Sequence, residues 1–97
     1  MAINLAATFE KFDDEHIKFE RIENPLHPRP DICAFLLLDR LCPNPGRDIV
    51  CASEHDEFFI DVSAEKLAEV ASEDDVLTLV RCGVRFSDEY DCLCMFA

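Results

Sequence analysis

Asp31-Ile32-Cys33-Ala34-Phe35-Leu36-Leu37-Leu38-Asp39-Arg40-Leu41-Cys42 is the stretch on which the fold turns. Its centre, Ile32 to Leu38, is the longest unbroken apolar run in the chain, seven residues. Periodicity does not separate a buried helix from a buried strand in so short a run. Length does, because Asp31 to Cys42 is 12 residues, long for a strand. Pro30 and Asp31 at the start and Pro43 just past the end are the usual punctuation of a helix. The stretch is therefore expected to be a helix, apolar nearly all round and central to the core.

Working outward, Asn24 to Pro30 is an extended connection, because each residue before a proline is pushed out of the helical region. Further back, residues 4–23 admit two readings. Leu5, Phe9, Phe12, His16 and Phe19 are spaced as one helical stripe, with Asn4 as N-cap. Against one long helix, Asp13-Asp14-Glu15 crowds three like charges, and Ile17 and Phe19 alternate as in a strand. A helix to about Phe12 is favoured, and residues 13–23 stay open between helix and strand.

On the other side, Pro43-Asn44-Pro45-Gly46 is a turn. Asp48–Ala52 and Phe58–Val62 read as two strands joined by a five-residue polar loop, Ser53-Glu54-His55-Asp56-Glu57. Ser63 caps a short helix from Ala64 to about Ala71. Ser72-Glu73-Asp74-Asp75 opens a second, with acids where the helix dipole favours them and Gly83 as the C-terminal stop. Val84–Phe86 and Cys92–Phe96 are two further strands around Ser87-Asp88-Glu89-Tyr90-Asp91.

A weak internal repeat runs through this order. It aligns Val50 with Val84, Ser53 with Ser87, Glu57 with Asp91 and Phe59 with Leu93, so that each half would be helix–strand–strand. The expected architecture is α+β: a four-stranded antiparallel sheet made of two hairpins, packed against three to four helices, with an αββ internal duplication as one reading of the repeat. Residues 1–97 form one domain, with 1–30 as an N-terminal helical and extended arm and 31–97 as an α-β-β-α-α-β-β core.

Composition bounds the function. Hydrophobic residues are 49% of the chain, enough for a real core. No stretch reaches the roughly 18 apolar residues of a membrane span. Met1-Ala2-Ile3-Asn4-Leu5 lacks the basic and apolar regions of an export signal, so a cytoplasmic protein is expected. In that compartment the six cysteines read as free, mostly buried thiols. With 21 acidic and 9 basic side chains, the formal charge is −12. Such a field repels nucleic acid and membranes and attracts basic partners. The nine basic residues form no patch, which argues against direct nucleic-acid binding.

The candidate binding residues are the hairpin carboxylates Glu54, Asp56, Glu57, Asp88, Glu89 and Asp91. If the hairpins neighbour each other in the same sense, both tips lie at one end of the sheet, and Asp13, Asp14 and Glu15 extend the patch. His55, between Glu54 and Asp56, reads as an exposed loop histidine rather than a ligand or base. Cys92 and Cys94 share a strand face and with Cys82 would make a three-sulfur set, but zinc knuckles at the usual spacing are absent, so packing is the better reading. Cys33, Cys42 and Cys51 are nine apart, which matches no metal motif. No glycine-rich phosphate loop or EF-hand frame occurs. No catalytic residue, metal or cofactor is therefore expected.

In size and charge the chain resembles small phage anti-defence inhibitors and the immunity proteins of nuclease toxins. This likeness is compositional and covers no motif. It implies a non-catalytic inhibitor or decoy that imitates the charge of a nucleic acid toward a basic, nucleic-acid-handling protein. An acidic chaperone or adaptor that forms a homodimer is the alternative. A metal-dependent enzyme or metal-binding protein using His55 or the Cys82, Cys92 and Cys94 set is the third reading.

Overall fold

The computed structural model describes residues 3–46, 48–54, 56–87 and 92–96. His55, Asp88, Glu89 and Asp91 lie outside the described residues. The chain runs α1 (Leu5–Lys11), two 3-10 turns (Asp13–Glu15 and Phe19–Arg21), α2 (Pro30–Leu41), β1 (Val50–Glu54), β2 (Glu57–Ile60), α3 (Ala64–Val70), α4 (Glu73–Cys82), β3 (Arg85–Ser87) and β4 (Cys92–Phe96). The strands form one antiparallel sheet in the order β1-β2-β4-β3. This is the α+β architecture the sequence predicts.

Local signals explain most of these boundaries. The Asn4 side chain accepts from the Ala7 N–H and starts α1. Ser63 accepts from the Lys66 N–H and starts α3. Ser72 and Asp75 exchange side-chain and backbone bonds in a complete capping box at the head of α4. Gly83 ends α4 at φ +102°, a conformation that a Cβ disfavours.

The predicted helix over 31–42 is α2, with Pro30 in its first turn. It is not apolar-packed all round. Cys33, Ala34 and Leu38 are buried, whereas Leu36 is 42% exposed. The sheet has one helical layer, so a helix within it has an inner and an outer side. The core is instead shared: Leu38, Ile60, Leu67, Val76, Leu79, Val84 and Leu93 are each at most 1% exposed. Leu5 and Phe9 of α1 join the same cluster.

Two local expectations need correction. Residues 13–23 are neither a continued helix nor a strand but two 3-10 turns around Ile17, whose φ is +59°. The first hairpin has no five-residue loop. Glu54 and Glu57 are paired strand residues, so only two positions separate the strands, and Asp56 stands at φ +64°. Aspartate tolerates that conformation better than most side chains, which permits so tight a turn.

The strand registers match the internal offset. Moving 34 positions along carries the pair Ser53↔Phe58 onto Ser87↔Cys92, and Ala52↔Phe59 onto Phe86↔Leu93. The order β1-β2-β4-β3, with β2 and β4 antiparallel at the centre, relates the two hairpins by a local two-fold rotation. That rotation has a direct consequence for the acidic loops.

Candidate protein-docking surface

A two-fold axis through the sheet sends equivalent hairpin ends in opposite directions. Glu57 pairs with Phe96, while Ile60 pairs with Leu93. The tip of the first hairpin therefore lies beside the C-terminal end of β4. Ser87 and Cys92, which flank the second loop, lie at the other end. From Phe96 to Cys92 is four residue steps, about 13 Å at the usual rise per residue. The described ends of the two hairpins, the pairs Glu54–Glu57 and Ser87–Cys92, thus stand at opposite ends of the sheet, where the sequence reading puts both hairpin ends together. The antiparallel pairing of β2 with β4 is the cause.

What the first tip meets instead is the segment after α1. The His16 ring stands edge-on to the Phe96 ring at 6.5 Å between centroids, and Phe96 sits opposite Glu57 in the ladder. Asp13, Asp14, Glu15 and His16 thus share the end of the sheet with Glu54, Asp56 and Glu57. Of the nine candidate carboxylates, the structure brings six to this end. Asp88, Glu89 and Asp91 are outside the described residues.

Two of those six are committed internally. Glu15 accepts from Arg81 Nε at 3.0 Å and Nη2 at 2.8 Å, and from Arg21 Nη1 at 2.5 Å. Its side chain is only 16% exposed, and the Arg81 hydrogen bonds hold its carboxyl below the usual range. Glu57 accepts from Arg85 Nη2 at 2.5 Å. Arg85 comes from β3 and crosses the open face of the sheet, with its guanidinium 4.2 Å from the Phe96 ring centroid. Its Nη2 also lies 3.6 Å from Cys94 Sγ. Three of the nearby cations, Arg21, Arg81 and Arg85, are thereby turned onto Glu15 and Glu57. Asp13, Asp14, Glu54 and Asp56 remain exposed around them.

Two apolar side chains stand inside this acidic rim. Phe96 is 56% exposed and Ile17 is 68% exposed. Ile17 is held by its N–H to the Val80 carbonyl at 3.2 Å, and its Cγ2 lies 3.5 Å from where a Cβ on Gly83 would sit. A β-branched residue in left-handed backbone carries strain of about 1–3 kcal/mol. The side chain in this strained position faces solvent. His16, between them, is desolvated, which lowers its pKa, and the Arg85 charge acts in the same direction.

A groove of about 610 Å³ opens beside this surface, lined by Phe9, Glu10, Asp13, His16, Arg85 and Phe86 among others. The cysteines are scattered with respect to it. Cys33 and Cys82 are buried in the core, Cys94 is buried on the opposite face of the sheet, and Cys51 is exposed on β1. The Cys82, Cys92 and Cys94 set is thus divided by the sheet, and among the described residues no three His, Cys, Asp or Glu side chains are placed to hold a metal. Among them also, no helix is long and apolar enough to cross a membrane.

Sequence reasoning missed Arg85, Phe96 and Ile17. The alternation in Val84-Arg85-Phe86 and Cys94-Met95-Phe96 would have placed Arg85 and Phe96 on the non-core face. Nothing local signals the left-handed backbone at Ile17. Comparison with protein-family models, curated proteins and solved structures returns no match.

Proposed function

We propose that this chain is a non-catalytic, acidic protein-binding module that blocks or escorts a basic, nucleic-acid-handling partner. One observation carries the reading. At the end of the sheet formed by Asp13–Ile17, the first hairpin tip and Phe96, three arginines are consumed by Glu15 and Glu57 while other carboxylates stay in solvent. The result is a negative rim around two exposed apolar side chains. Interfaces commonly have this arrangement, an apolar or aromatic centre with a polar border. Carboxylates held on a rigid scaffold present negative charge to a cationic groove much as phosphates do.

The test is affinity capture from lysate on the immobilised protein at low salt, followed by elution in about 0.5 M NaCl, where screening shortens electrostatic range to about 4 Å. A basic nucleic-acid-handling protein released by salt and displaced by added DNA or RNA supports the reading. A partner that resists both salt and nucleic acid overturns it.

A further inference from the structure

We infer that the recognised partner segment is extended and basic, and adds to the sheet as a strand along the free edge of β1. The inference rests on the basic-partner reading above and specifies how that partner is held. Among the described residues β1 is the terminal strand of the sheet, paired on one side only. All five of its residues, Val50 to Glu54, are exposed, so the helical layer does not cover it. In a two-residue hairpin the residues flanking the loop, here Glu54 and Glu57, form the hydrogen-bonded pair. One step on, the N–H and C=O of Ser53 therefore point away from β2. Such an edge is a template for a further strand.

The usual guards of an edge are sparse here. β1 contains no proline and no lysine. A bulge at Cys51, whose thiol donates to the Phe59 carbonyl at 3.5 Å, confines the flat part to Ala52–Glu54. The added segment is accordingly short, and charge must supply much of its selectivity. Along β1 and its hairpin turn Asp48, Glu54 and Asp56 are exposed, Glu57 being already held by Arg85, and residues 48–62 contain no lysine or arginine. A second copy of this edge would set like charges side by side, whereas a segment with alternating basic side chains meets complementary ones. β1 also borders the hairpin tip of the acidic rim, so one partner can cover both.

The probe is an alternating lysine–valine hexapeptide, compared with the same peptide N-methylated at alternate residues. Binding is read by amide chemical-shift perturbation at low salt. The expected result is binding by the parent peptide with shifts centred on Ala52–Glu54, and at least tenfold weakening by N-methylation. Ser53→Pro removes the outward N–H without touching a bond to β2, and should weaken binding of the parent peptide as much while the protein keeps its melting curve. Equal binding of both peptides overturns strand addition and leaves the basic-partner reading standing. Failure of both to bind overturns the two together. A dimer in sedimentation that Ser53→Pro dissolves also overturns the inference, because the edge then serves a second copy. The N-methylated peptide decides the matter if Ser53→Pro does not fold.

Discussion

Arg85 on β3 reaches across β4 to Glu57 on β2, Nη2 to Oε1 at 2.5 Å, passing Cys94 Sγ at 3.6 Å. One side chain thus ties three of the four strands together on the face the helices leave open. It also sets a cation against Glu57, which lies directly opposite Glu54 in the hairpin. Like charges in that position are destabilising.

A double-mutant cycle with Glu57→Gln and Arg85→Met measures this tie. Both side chains are partly exposed, at 22% and 38%, so the coupling is expected at only about 0.5–1 kcal/mol. It should shrink as NaCl is raised. Urea denaturation of the four proteins checks it, and a coupling of zero would assign this ion pair no share in sheet stability.

Acid should lower the stability of the protein over two successive pH ranges. His16 has a lowered pKa in the fold, so the unfolded chain takes up its proton first, and stability falls as pH drops below about 6.5. Glu15 is also lowered, chiefly by its hydrogen bonds to Arg81, so its contribution is present above its ordinary value near 4.5 and is lost as pH falls further. His16→Phe should remove the upper loss and keep the lower. Glu15→Gln should do the reverse and lower the urea midpoint at neutral pH.

The two sides of α2 should respond very differently to truncation. Leu38→Ala empties a fully buried position and should cost about 2–5 kcal/mol. Leu36→Ala, at a side chain 42% exposed, should cost less than about 1 kcal/mol. Comparable losses by thermal denaturation would mean that a further surface covers Leu36 in solution.

Binding should depend on one end of the sheet. Charge reversal of Asp13, Asp14 and Asp56 should abolish salt-sensitive capture. The same number of reversals on Glu65, Glu69 and Glu73 should weaken it only modestly, by the loss of net charge. Phe96→Ala should weaken binding by about 2 kcal/mol if the ring is a buried anchor in the complex. Titration calorimetry with the captured partner separates these effects, and equal losses from both reversal sets would reduce the interaction to non-specific charge.

Much of the fold was legible because it rests on local rules. The cap at Asn4, the capping box from Ser72, the stop at Gly83 and the break after α2 depend on residues within a turn of each other. The repeat offset was readable from side chains and reappears in the strand registers. The hairpin loop was misjudged at Ser53 and Glu54 because polar residues on an uncovered edge strand look like loop residues, and at Glu57 because a charged first residue of the inner strand β2 reads as the end of the loop. An edge strand with both faces in solvent carries no hydrophobic alternation to reveal it.

By itself the sequence determined an acidic α+β domain with a helical layer on a sheet of two hairpins, since caps, turns and apolar spacing are short-range signals. Only the tertiary structure decided which charges share a surface. The antiparallel contact of β2 with β4 sets the pairs Glu54–Glu57 and Ser87–Cys92 at opposite ends of the sheet, and long-range ion pairs withdraw Glu15 and Glu57 from solvent. Strand order and side-chain pairing across 28 or 66 positions are set by the packing of the whole core. No spacing within one segment encodes them.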